Sequence, residues 1–132
     1  RQAAAKFKGG VGSVLVGTVA NYGEGIDLPR NLAPVIFFLR PGYPSPSDPA
    51  TVFEERRYGS MRWRIWNWRV MLEALQVRGR NIRSAEDMGV TFFMSQQFRR
   101  FIPAALPDWM RDSYQGNLGL NDCVQEGMKI LA

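Results

Sequence analysis

Residues 33–39 read Ala-Pro-Val-Ile-Phe-Phe-Leu, and residues 90–95 read Val-Thr-Phe-Phe-Met-Ser. Each run is short, apolar and rich in β-branched or aromatic side chains, and neither alternates with polar residues. That is the pattern of a strand buried on both faces, as in a parallel sheet covered by helices. A third run, Ser13–Gly17 (SVLVG), has the same character and predicts a third buried strand. Around them the chain alternates. Residues 1–8 (RQAAAKFK) predict the tail of a helix, and Gly9-Gly10-Val11-Gly12 a turn. Residues 40–49 (RPGYPSPSDP) hold four prolines and predict an irregular loop. A long helix is expected over 60–83, a short one near 108–113 and a last one over 121–131, where Asp122 and Gln125 have capping-box spacing. Strands alternating with helices imply an α/β layered fold. Three strands make a small sheet with open edges, so the chain reads as a fragment of a larger domain.

Composition narrows the function. The 132 residues fit one domain, and 45% hydrophobic with 22% charged residues is globular usage. A net charge of +5 favours an acidic partner, nucleic acid first. With no histidine, this chain offers no His-based metal site and no Ser-His or Cys-His catalysis. A single cysteine, Cys123, cannot form an internal disulfide and reads as a small core residue of the last helix. No apolar run reaches the roughly 18 residues of a membrane span, and no signal peptide is visible. A reducing compartment is expected.

On the expected 60–83 helix, Ile65, Trp68, Leu72, Leu75, Gly79 and Ile82 step by threes and fours as an apolar stripe. Gln76, Arg80 and Arg83 share a second face about 90° away, at the rim of the buried side. Two guanidinium forks and an amide there could converge on one anionic group. Gly79 costs about 1 kcal/mol in a helix interior, which suggests that another backbone approaches it. From spacing alone, a solvated basic face is the alternative. In RWRIWNWR (Arg62–Arg69), Trp68 and Ile65 are expected in the core, with Trp63 and Trp66 packing elsewhere. The functional alternative for these aromatics is base stacking on single-stranded DNA. Arg56-Arg57 and Arg99-Arg100 read as solvated charge.

Between the runs Ser13–Gly17 and Ala33–Leu39 lies GTVANYGEGIDLP (Gly17–Pro29), a small-residue loop with two acids bracketing a glycine. GTVANYGEGID resembles motif V, and QVRGRNIR (Gln76–Arg83) resembles motif VI (Q-x-x-G-R-x-x-R), of superfamily 2 helicases in the form of the XPD/DinG branch. The flanks RSAEDMGVTFFMSQQF, LPDWM and NLGLNDCVQEGMKIL resemble that branch too, so the likeness covers nearly the whole chain. The resemblance implies a RecA-like parallel sheet flanked by helices, with residues 1–132 forming the C-terminal part of the second lobe of an ATP-dependent DNA helicase. It implies that Arg80 and Arg83 are arginine fingers, with Gln76 near the γ-phosphate and Gly79 beside the nucleotide. Asp27, Glu24 and Gly25 would belong to the nucleotide side of the loop. Thr18, Val19, Asn21, Tyr22 and Gly23 would lie along the DNA backbone.

The implied partners are single-stranded DNA, ATP with magnesium, and a first lobe of the same protein; no membrane partner is implied. That first lobe would hold the phosphate loop, the magnesium ligands and any iron–sulfur cluster. Here Lys8–Ser13 (KGGVGS) lacks the phosphate-loop lysine, and there is no acid box, so this chain is not a complete ATPase. The implied setting is bacterial cytoplasm at the nucleoid, or a eukaryotic nucleus. The rival reading is a non-catalytic nucleic-acid-binding or scaffold module that kept the fold. The intact Gln76, Arg80, Arg83, Glu24 and Asp27 weigh against it.

Overall fold

The structure is a computed structural model and describes residues 2–19, 28, 32–80, 82 and 84–132. Its elements are α1 (Gln2–Lys8), β1 (Val35–Phe38), α2 (Pro49–Tyr58), a 3₁₀ turn (Gly59–Met61), α3 (Arg62–Arg78), β2 (Val90–Phe93), α4 (Gln96–Arg99), α5 (Ile102–Ala105), α6 (Asp108–Arg111) and α7 (Leu120–Leu131). The two apolar runs that begin at Ala33 and Val90 do pair as parallel strands, with Val35 opposite Val90 and Phe38 opposite Phe93. This α/β arrangement agrees with the apolar pattern of the sequence, although the sheet has two strands among the described residues.

Pleating sends alternate side chains to opposite faces. Phe37 and Phe92 stack on one face with centroids 5.3 Å apart. There α7 covers the strands, and Gly127 lets its backbone close on Phe92 and Val35. Phe38 and Phe93 lie on the other face and meet Phe98 at 5.1 Å each. That face builds the main core with Val70, Met71 and Ala74 of α3 and with Phe101, Ile102, Leu106 and Met110. Phe98, Ile102 and Val70 are essentially sealed from solvent. Cys123 is buried in α7, as the sequence suggested.

Several expectations are corrected. Ser13–Gly17 is not a strand: it pairs with nothing in the sheet, and Val14 and Val16 are 78% and 79% exposed. High β-propensity without a neighbouring strand leaves a segment extended at most. The 60–83 helix is shorter, running over Arg62–Arg78, and a second helix that was not expected, α2, precedes it over Pro49–Tyr58. Asp48 caps α2 by accepting from the Ala50 N–H at 2.8 Å, with Pro49 in the first turn. Gly59 ends α2 at φ 51°, where a side chain would strain the backbone. Downstream, α3 stops at Arg78, with Gly79 as its C-cap at φ −65°. Among the described residues, an added Cβ at Gly79 would meet the Leu75 and Gln76 carbonyls of its own helix, at 3.4 and 3.5 Å.

The buried stripe of α3 is Trp66, Val70, Met71 and Ala74. Trp68, expected in the core, is 64% exposed, while Trp66 is buried. At α7, Asp122 is not the cap. Its carboxylate accepts from the Gly119 N–H at 3.0 Å, so it sits three residues inside the helix start.

Candidate functional site

Three of the singled-out residues gather where α3 ends. Gln76 is exposed in its last turn, and Gly79 and Arg80 form the half-buried turn that follows. The Gly79 N–H donates to the Leu75 carbonyl at 2.9 Å and the Arg80 N–H to Val77 at 3.0 Å, so the helix tightens as it stops. A helix C-terminus carries partial negative charge, so any anion attracted here must be held by side chains such as Arg80. Arg83 lies outside the described residues.

The glycine-acid loop divides in the same way. Thr18 is exposed, and Val19 is half-buried against the main core. Asn21, Tyr22, Gly23, Glu24, Gly25 and Asp27 lie outside the described residues.

The arginine–tryptophan stretch has a structural use. Glu54 of α2 accepts from the Trp66 indole N–H at 2.8 Å and holds Arg69 at 2.7 and 3.0 Å through its two oxygens. Arg69 first, then Trp66, hold the Glu54 carboxyl below its usual range, and Glu54 in turn raises Arg69. Arg62 pairs with Glu55 at 2.9 Å, donates to the Gly59 carbonyl and lies over the Trp63 and Trp66 rings at 5.4 and 5.8 Å. Two of the stretch's three arginines thus staple α2 to α3. Trp63 packs edge-on to Tyr43 and Trp66. Burial raises the Tyr43 hydroxyl, with Arg100 partly offsetting it. Arg56, Arg57, Arg99 and Arg100 are exposed, as expected.

Arg78 and Trp109 escape a reading of the sequence. The Arg78 guanidinium lies 5.6 Å over the Trp109 ring, which is itself 73% exposed. This pair joins α3 to α6 immediately before Gly79, and no periodicity marks it because the partners are 31 positions apart. Among the described residues no cluster of His, Cys, Asp and Glu could hold a metal ion, and no helix is long and apolar enough to cross a membrane.

Among known families, the one described as the helicase C-terminal domain matches residues 1–113. No curated protein and no solved structure matches the chain.

Proposed function

The chain belongs to the helicase C-terminal domain family, and from that premise we propose that it serves as the second RecA-like lobe of an ATP-dependent DNA helicase of the XPD/DinG type. The observation that carries the proposal is the meeting of Gln76, Gly79 and Arg80 at the end of α3, within the span matched to the family. In this reading ATP with magnesium binds between this lobe and a first lobe that supplies the phosphate loop and metal ligands. Arg80 and Arg83 reach the phosphates as fingers, and Gln76 stands near the γ-phosphate. Phosphoryl transfer is catalysed chiefly by positioning and charge stabilisation, and an arginine finger is worth about 10³–10⁵ in rate. Thr18 to Gly23 grip single-stranded DNA, and Glu24, Gly25 and Asp27 link that grip to the nucleotide side. The donor set suits phosphate, since Gln76 and Arg80 are both at least partly open to solvent and supply donors for its oxygens.

The test uses the protein with both lobes. Arg80→Ala should lower ATP turnover by about 10² or more, while leaving the Kd for single-stranded DNA nearly unchanged at fixed salt. Arg80→Lys should not rescue, because a point charge lacks the bidentate fork. The 132-residue chain alone should release no phosphate from ATP. Loss of DNA binding in proportion to ATPase would overturn the finger assignment, and turnover by the purified chain alone would overturn the half-site reading.

A further inference from the structure

Among the described residues both outer edges of the two-stranded sheet are unpaired, and the edge of β2 borders a cavity. The Val90 N–H donates to the Pro34 carbonyl at 2.8 Å and the Met94 N–H to Phe38 at 3.0 Å. In this parallel register, Val90, Phe92 and Met94 therefore turn their backbone groups toward β1. The N–H and C=O groups of Thr91 and Phe93 point the other way. Along that side runs a cavity of about 610 Å³, lined by β2 from end to end but by no residue of β1. Arg78 and Arg99 reach it from the layer on one face of the sheet, and Glu126 of α7 from the layer on the other. Tyr114 and its neighbours also line it, and the space forms a slot beside β2 between two helical layers.

We propose that this slot takes an extended, acidic peptide segment of a partner protein as a third strand beside β2. Outward N–H and C=O groups on alternate residues are what strand addition uses for affinity. A peptide backbone alternates donors and acceptors at the spacing of this edge, whereas a phosphodiester backbone supplies acceptors alone. Charge selects the partner: two arginines line the slot against one glutamate, and Arg99 has no acidic partner among the described residues. The Thr91 hydroxyl is buried without a hydrogen-bond partner, and a peptide seated alongside brings further donors and acceptors to this strand.

The test is amide hydrogen exchange on the whole chain, with and without a labelled peptide of alternating glutamate and valine, combined with anisotropy for affinity. Thr91 and Phe93 amides should exchange quickly in the free chain and slow down with peptide, while Phe92, bonded to β1, is slow in both. Thr91→Pro removes one outward N–H without touching the ladder to β1. It should weaken binding about fivefold, the order of one backbone hydrogen bond, whereas Thr91→Ala should not. Arg99→Glu, at an exposed position, should weaken the acidic peptide about tenfold or more and favour a lysine–valine peptide. Three results overturn the proposal: Thr91 and Phe93 amides already protected in the free chain, because the edge is then taken by the chain itself; peptide affinity unchanged in both Thr91→Pro and Arg99→Glu; or a single-stranded oligonucleotide, and not the peptide, slowing those two amides.

Discussion

Glu54 concentrates more structure than any other acid among the described residues. It ties α2 to α3 through an indole donor and a two-point guanidinium contact. An ordinary glutamate titrates near 4.5, and this one is held lower by Arg69 and Trp66. A depressed folded-state pKa makes the link's contribution complete above the unfolded value and erases it as pH falls through the folded value. The melting temperature of the chain should therefore decline as acid is taken below 4.5, and in Glu54→Gln that part of the decline should be missing. At neutral pH the variant should melt only about a few degrees lower, since a partly solvated ion pair is screened. Melting curves from neutral pH into acid for both proteins check this; parallel curves would show that the carboxylate's charge does not matter to the hairpin.

Two glycines end α2 and α3, and they should respond oppositely to alanine. Gly59 sits at φ 51°, ψ −127°, a region closed to most L-residues, although an added Cβ there would touch nothing. Its strain should cost about 1–3 kcal/mol in Gly59→Ala. Gly79 sits at φ −65°, open to any residue, so Gly79→Ala should be neutral or stabilising by up to about 1 kcal/mol. Denaturant midpoints for the two variants measure the contrast, and equal losses would contradict it. These positions also show why some elements are legible in the sequence and others are not. Both strands, α1, α6 and α7 can be read because their local pattern agrees with the element they form. The start of α2 is hidden in a proline cluster, yet Asp48-Pro49 is a cap followed by a favoured first-turn residue. The end of α3 is marked by Arg78-Gly79, a plain stop signal that the motif spacing running on to Arg83 obscures. The stripe of α3 is ambiguous because the helix carries tryptophan or aliphatic residues on both faces, and only Phe38, Phe98 and Ile102 across the core select Val70 and Ala74. At the site, Gln76 lies in the last turn of α3 and Arg80 in the turn beyond it, so the single helix face expected from their spacing ends at Arg78, and nothing local announces the Arg78–Trp109 stack.

At the scale of the molecule, the chain keeps a large surface for its size. It exposes 9641 Å², against about 7,000 Å² for a compact monomer of 15.0 kDa. Several large apolar side chains among the described residues are exposed. Val14 and Val16 lie open where a strand was expected, Trp68 and Leu72 form a half-open second face of α3, and Met128 and Leu131 lie open on α7. Apolar patches of this kind mark surfaces that other protein covers, as the proposed first lobe would. The expected outcome is a folded chain that binds a hydrophobic dye. Anilinonaphthalene sulfonate emission should rise several-fold at neutral pH while the near-ultraviolet dichroism of the packed aromatics persists, which separates exposed docking surface from a molten state. Two variants locate the source. Val14→Asp with Val16→Asp removes one patch, and Trp68→Ala removes the largest side chain of another. Each should lower the emission without lowering the melting temperature, because these side chains contribute little burial to the core. Emission equal to that of the free dye would mean that the apolar groups are covered in solution; strong emission with lost aromatic dichroism would mean that the Phe38–Phe98 core itself is loose.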